Sequence, residues 1–405
     1  MDKIAAKVLQ LAEQYRDYTA QNLSRLVRIK SLTGGEKEMA AELKKQMREA
    51  RFNDVRVDGL GNVLGRVGKG KRLLAIDAHI DTVDQGNLEN WSAAPFSGTI
   101  ANGFVHGRGA VDQKGGAAAM VTAGRILAEL GLKNDFSVLF TGTVMEEDCD
   151  GLCWKYIIEE EKIRPELVII TEPTALGIYR GQRGRMEIRV SFKGLSAHGS
   201  APERGKNAIY MGAWACLAIE KLNEGLKSDP FLGKGSVTVS EFVSGSPSLC
   251  AVADSARIHL DRRLTTGESK ESALAEILGL VKDVAATTEV LQYREKSYTG
   301  REYGMEKYYP TWTVAADHPA VTRAEDVFRS LFKKEPRVDK WTFSTNAVTI
   351  NGIYGIPTIG FGPGDEVFAH APDEKIPVDD LVKAAAFYTL YALQMEQHEY
   401  VLPRT

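Results

Sequence analysis

Three apolar, β-branched runs of the chain each close on residues able to bind a metal. LLAIDAHID ends with His79 and Asp81, VLFTGTVMEED with Glu146 and Glu147, and LVIITEPT reaches Glu172. Asp112 lies in a glycine-rich turn, GRGAVDQKGG, and His370 in a late loop, GFGPGDEVFAHAP. Imidazoles mixed with carboxylates suit divalent ions such as zinc, manganese or cobalt, whereas a thiolate site would need cysteine in place of carboxylate. Four carboxylates beside two histidines match a pair of ions bridged by one Asp better than a single ion.

Each residue also has a plainer reading. His79 and Asp81 stand two apart in an extended segment, so both side chains leave one face and the carboxylate can steady the imidazole; alone, His79 would be a structural histidine. Asp112 precedes a helix, the place of an N-cap, but in this company a bridging ligand is preferred. Glu146 and Glu147 are adjacent and point apart, which suits a base and a ligand. Their rival reading is a solvated acidic turn shared with Asp148 and Asp150, and the buried strand before them weighs against it. Cys149 and Cys153, spaced i, i+4, read as packing of the following helix, with thiol ligation or redox sensitivity as the alternative. His106, His259, His318 and His398 belong to no motif.

The elements that must position these groups follow from patterning. Continuous apolar runs read as buried parallel strands, and ligands collect outside the carboxyl ends of such strands in open α/β sheets. Helices are expected over 2–30 and 36–51, then short strands at DVRVD and NVLGRV. Between Leu73 and Thr174 strands alternate with helices over 116–130 and 152–161, the order of a mostly parallel α/β sheet. MEIRVSFKG, SVTVSEFV and ARIHLDRRL alternate with period two instead, with helices near 206–226 and 268–286 between them. That suits an antiparallel sheet covered on one face. The chain then passes an irregular connector, 298–312, and resumes the first unit with a strand at 358–361 and a closing helix over 377–397. The expected fold is a two-domain α/β metallohydrolase: a catalytic metal-binding domain of residues 1–182 and 299–405, and an inserted α+β lid and dimerisation domain of residues 183–298.

The chain has 405 residues, 43% of them hydrophobic, enough for a full core and for two domains. Its 51 basic and 54 acidic residues are interspersed and leave a net charge of -3, which gives no basic stripe for nucleic acid. No stretch reaches the roughly 18 apolar residues of a membrane span, and the charged N-terminus lacks a signal-peptide core. Four cysteines are too few for a disulfide framework, so cytoplasm is the expected location.

In order and spacing, HID, GRGAVDQKGG, MEED, TEPT and AHAP resemble the di-zinc aminoacylase/carboxypeptidase family, the group of acetylornithine deacetylase and succinyl-diaminopimelate desuccinylase. EEDCDGLCW, YRGQRGRMEIR, SAPERGKNAI and DKWTFSTNA are most similar to the branch labelled selenium-metabolism-linked hydrolases. The resemblance implies that Asp112 bridges two ions, that His79 and Glu172 bind one, and that Glu147 and His370 bind the other. It implies Glu146 as general base and a cis bond between Asp112 and Gln113; Asp81, which steadies the His79 imidazole, is counted with the catalytic residues. His198 is implied to reach the active site, usually from the partner subunit, and to stabilise an oxyanion, assisted by Asn207; a surface histidine and a helix N-cap are the plainer readings. Arg263 matches an arginine that grips a substrate carboxylate, with Arg262 on the other, surface side and Asn346 as a further substrate contact.

The expected reaction is hydrolysis of an amide bond in an N-acyl amino acid or dipeptide by a homodimer holding two divalent ions, most simply Zn2+, with Co2+ or Mn2+ as alternatives. Two rivals stand beside it: a carbamoyl or ureido C–N hydrolase of purine or pyrimidine breakdown, and a metal-binding or ligand-binding protein without turnover.

Overall fold

A computed structural model gives the fold and describes residues 2–397. The apolar runs form the middle of a nine-stranded mixed sheet. Its centre is four parallel strands in the spatial order Phe136–Thr143, Arg72–His79, Leu167–Ile170 and Thr358–Gly360. Antiparallel strands flank them, Asp54–Val57 and Val63–Gly68 on one side, Ile178–Gln182 and Trp312–Thr313 on the other, and the ninth strand, Val338–Trp341, pairs parallel to Ile178–Gln182. Strands buried on both faces have no use for polar alternation, which is why the central runs read as continuous Val, Ile and Leu. The helices Asp2–Gln14, Arg16–Val27, Gly115–Leu130 and Val378–Gln397 pack on one another against this sheet.

Parallel pairing brings the carboxyl ends of the central strands to one edge. His79 pairs with Thr143, Asp77 with Ile170, and Ile170 with Gly360. The residues just beyond those ends therefore meet in space although the sequence scatters them from 79 to 370.

A second, five-stranded antiparallel sheet is built from Ser236–Gly245, Ser255–Leu264, Gly184–Lys193 and Ala286–Val290, with Tyr308–Tyr309 beside Gly184–Lys193. One face carries Met186, Ile188, Val190, Phe192, Ile258, Leu260 and Leu264 into a separate core under the helices Ala208–Glu224 and Lys270–Val281. Each such side chain contributes about 1.5–3 kcal/mol when fully buried. Arg262 corrects the expectation of a surface residue. It shares its strand face with Ile258 and Leu260, is 0% exposed, and is neutralised by Glu268 at 2.5 Å and Glu276 at 3.1 Å.

Other differences are local. The first helix breaks at Tyr15 (φ -93°, ψ 11°), after which Tyr15 and Tyr18 both flank the Arg125 guanidinium. The connector holds the two-residue strands Met305–Glu306, Tyr308–Tyr309 and Trp312–Thr313 and buries Tyr309 and Trp312. A helix, Pro319–Phe332, follows without having been foreseen, capped by the His318 imidazole, which accepts from the Ala320 N–H at 3.1 Å. His398 lies outside the described residues. Among the described residues, no helix is long and apolar enough to cross a membrane.

Candidate metal centre

His79 ends its strand with the imidazole buried. Nδ1 faces the backbone carbonyl of Asp81 at 2.9 Å, which favours a proton on that nitrogen and leaves Nε2 pointing at Asp112 Oδ1, also at 2.9 Å. The Asp81 carboxylate lies farther from the ring, at 3.5 Å. It instead accepts the backbone N–H groups of Glu146 and Glu147 at 3.2 and 3.1 Å and the Thr33 hydroxyl at 2.8 Å. Asp81 thus orders the turn that carries the two glutamates more directly than it orders the histidine.

Asp112 sits in the tight turn Ala110–Lys114, and its peptide bond to Gln113 is cis, as the resemblance implied. Gly116 lets this turn lie against the strand end of Glu172, because a Cβ there would come within 2.2 Å of Thr171 Oγ1. Gln113 is in turn bonded to Thr171 at 2.7 Å. The other oxygen of Asp112 faces His370 Nε2 at 3.2 Å, and His370 Nε2 faces Glu147 Oε2 at 3.1 Å. Glu172 Oε1 and Glu146 Oε2 stand 3.5 and 3.9 Å from His79 Nε2.

Two groups of three follow: His79, Asp112 and Glu172, and Asp112, Glu147 and His370. The ligand atoms of each lie within 4.8 Å of one another, and Asp112 belongs to both. This donor set, two imidazoles and three carboxylates, fits divalent cations. Two further observations agree. Glu172 Oε2 and Glu146 Oε1 are buried without a hydrogen-bond partner, a costly condition that a cation relieves. Burial, with Asp112 close by, pushes the Glu172 and Glu147 carboxyls above their ordinary range. Burial, opposed by His79, and the charges of Asp150, Glu172 and Glu147 do the same to Glu146. Asp112 resists its own burial through the hydrogen bonds to His370 and His79 and stays ionised below the usual range. Such a cluster is short of positive charge.

The centre opens into a cleft of about 350 Å³, lined on the far side by Arg263 and Arg185 of the second sheet and by Phe343, Ser344 and Glu366. Arg263 is held by Asp261 through two hydrogen bonds of 2.7 and 2.9 Å. The other residues singled out in the sequence fall elsewhere. His198 is exposed, bonded to Ser200 at 2.7 Å, and does not line this cleft. Asn207 caps the helix Ala208–Glu224, accepting from Ile209 N–H at 2.9 Å.

Asn346 departs from the expected substrate contact. It is buried and donates to Asp77 and Thr143 at 2.9 and 3.1 Å, while its oxygen accepts from Gly151 N–H and Cys153 Sγ at 2.9 and 3.1 Å. No group of Asn346 is left over for a ligand.

Cys153 is thereby tied into packing. Cys149 accepts from the Tyr309 hydroxyl at 3.4 Å. Burial pushes both thiols up, Cys149 to about 12, which makes them poor ligands and nucleophiles.

Several supporting residues escaped the sequence reading. Glu374 is buried and accepts from Arg108 at 2.6 Å and from the N–H groups of Gly109, Val111 and Asp112. Arg108 also donates to the carbonyls of His370 and Ala371. This pair braces the Asp112 turn against the His370 loop. Its only signal in sequence was proximity, Arg108 in GRG and Glu374 four residues after His370. Asp150 and Arg185, which line the cleft, were hidden in an acidic run and in an alternating strand.

A mixed sheet whose parallel strand ends, with the adjoining loops, gather His79, His370, Asp112, Glu146, Glu147 and Glu172 at one cleft suits a hydrolase of the metallopeptidase type, and the chain belongs to the peptidase family M20/M25/M40, whose model matches residues 75–394. It is 50% identical over 388 residues to the protein YgeY of Escherichia coli, covering 95% of this chain and 96% of that one. Acetylornithine deacetylase of Pectobacterium carotovorum is 28% identical over 323 residues, 78% of each chain. Among solved structures, aminopeptidase PepT of Bacillus cereus superposes with a TM-score of 0.71 at 22% identity, covering 93% of this chain and 97% of its own.

Proposed function

We propose that this chain is a two-metal hydrolase that cleaves an amide bond of an N-acyl amino acid or dipeptide. The single observation that carries the reading is Asp112 shared between two potential ligand groups with Glu146 standing free beside them. His79 and Glu172 would hold one ion, Glu147 and His370 the other, with Asp112 available to both. Zinc is the simplest fit to the donors. A pair of divalent ions, when bound, supplies Lewis acidity to a water and to the scissile carbonyl.

The remaining steps belong to the chain. Glu146, buried and with its carboxyl pushed up in affinity for protons, takes the proton of the attacking water and passes it to the leaving amine. Asp81 fixes the turn on which Glu146 rides. Arg263 grips a carboxylate of the substrate from across the cleft, orienting the amide.

Residues 1–182 and 299–405 make up the catalytic domain, except that the strand Tyr308–Tyr309 joins the sheet of the inserted unit, and 183–298 are a lid that pairs with a second copy. Supporting this is an exposed apolar surface of the lid: Tyr210, Trp214 and Leu217 on one helix, and Phe242 and Val243 on the free edge strand Ser236–Gly245. Such a patch and such an edge are seldom left open in a monomer. The second copy delivers His198 to stabilise the oxyanion, assisted by Asn207. The four free cysteines fit a cytoplasmic setting.

The test is amine release from N-acyl amino acids, dipeptides and N-carbamoyl compounds by metal-reconstituted protein. Turnover of the first two classes that disappears with a chelator and returns with metal is expected. Turnover confined to N-carbamoyl compounds, with ammonia released, would overturn the substrate assignment.

A further inference from the structure

The turn that follows Glu146 and Glu147 is held by three successive contacts, all to residues of the second sheet or the segment leading from it. Asp148 Oδ2 accepts from the Tyr293 hydroxyl at 3.3 Å, Cys149 Sγ from the Tyr309 hydroxyl at 3.4 Å, and Asp150 Oδ2 lies 3.6 Å from Arg185 Nε. The anchors are themselves linked. Tyr309 and Arg185 are cross-strand partners, and the guanidinium stands 4.8 Å from the Tyr309 ring centre. Two residues before Tyr293, Leu291 donates to the Glu187 carbonyl on the same strand as Arg185.

From the other side the same turn hangs on Asp81, just beyond the end of the strand Arg72–His79, and on Glu36, at the start of the helix Lys37–Glu49. Met145 donates to Glu36, and Glu146 and Glu147 donate to Asp81. Met145 takes a left-handed backbone conformation (φ 63°), which a residue with a side chain keeps only where its surroundings overdetermine it. The two carboxylates therefore sit on a short bridge between the sheets. Asp150 Oδ2 and Arg185 Nε are both buried and, among the described residues, have no hydrogen-bond partner, so their mutual attraction helps to offset the loss of water. A small rotation of the second sheet alters all three contacts at once.

We infer that Arg185, Tyr309 and Tyr293 are positioning residues: they fix the turn 148–150, and through it the carboxylates of Glu146 and Glu147, so the second sheet sets the alignment of the base. This rests on the proposed roles of those two glutamates, and the experiment separates the two ideas. It uses the metal-loaded full chain and two readings, hydrogen exchange of the amides of residues 145–150 and steady-state hydrolysis of N-acetyl amino acids.

Arg185→Met is expected to speed exchange in that segment about tenfold or more while leaving metal content unchanged. It should lower kcat by about 10- to 100-fold with KM held within about twofold. Arg185→Lys should recover part of both losses. Tyr309→Phe and Tyr293→Phe, which remove one hydroxyl each and keep the fold, should move both readings in the same direction by less. Arg189→Met, on the same strand and face but paired with Glu289 instead of the turn, serves as the control and should change neither.

Unchanged exchange in the Arg185 and both tyrosine variants overturns the inference. So does a rise in KM with kcat preserved for Arg185→Met, which would make Arg185 a substrate contact. If the unaltered protein hydrolyses nothing in the panel, the proposed function fails, and the exchange reading still decides whether the second sheet holds the turn.

Discussion

The Arg108 guanidinium meets the Glu374 carboxylate at 2.6 Å, both side chains buried, and each reaches past the other to hold a different half of the metal centre. Glu374 takes the backbone of the Asp112 turn, and Arg108 takes the carbonyls of the His370 loop. Removing one partner of a buried pair strands the other charge and costs about 3–5 kcal/mol. Arg108→Met is expected to lose that much stability in urea unfolding of the metal-free chain and to weaken metal binding. A loss below about 1 kcal/mol, the range of exposed pairs, would mean that the pair does not brace the centre.

Glu146→Gln keeps the shape of the side chain and removes its basicity. Turnover should fall by about 10²- to 10⁴-fold, the usual contribution of a positioned base, while metal analysis still finds the ions of the unaltered protein. Activity within a few-fold of the original would assign the base elsewhere.

Because Asp112 faces both imidazoles, its loss should empty both positions, whereas Glu172→Ala or His370→Ala should each weaken one. Metal content after gel filtration distinguishes these cases. Two ions retained by Asp112→Ala would rule out a shared ligand.

Hydrogen bonds to Asp112 and Glu147, against the effect of burial, hold the His370 imidazole up from 6.5 to about 10. A folded value above the unfolded one means that these contacts stabilise the metal-free fold fully below pH 6.5, and that this contribution is lost as pH rises through about 10. A metal must displace the same proton. Affinity is therefore expected to climb from neutral pH to about 10, by up to about tenfold per pH unit for that one proton. Competition with a coloured chelator across this range measures it, and a flat profile would place His370 outside the metal's reach.

Trp214→Glu sets a charge in the middle of the exposed apolar face. Sedimentation should show a dimer becoming a monomer, and turnover should fall with it if His198 acts from the partner. A dimer that persists would move the interface to another surface.

The central strands and the residues at their ends were legible because two independent signals coincide there, a buried run and a chemically meaningful terminus. The second sheet was legible from its period-two alternation, whereas Arg263 was reached only through the resemblance. The same alternation, taken further, would have put Arg262 with the core; a charged residue was assumed to be at the surface, and Glu268 and Glu276 make the exception. Asn346 was misplaced for a related reason. An amide can serve a ligand or a framework equally well, and only the positions of Asp77, Thr143 and Gly151 decide. The roles of Glu374 and Asp150 were not legible beyond their nearness to the motifs, since their partners lie far away in sequence, Glu374 meeting Arg108 and Asp150 meeting Arg185. The helix Pro319–Phe332 was overlooked although His318-Pro319 is a good helix start.

Gln182 and Trp312 are direct partners at the margin of the large sheet. The chain departs for the second sheet beside the very strand to which it returns, so the two ends of this long excursion are already neighbours. A tight turn could join them in place of residues 183–311. The shortened molecule would retain His79, Asp112, Glu147, Glu172 and His370 and lack Arg185, Arg263 and His198. Holding ions and choosing what they act upon would then become properties of two separate pieces of polypeptide.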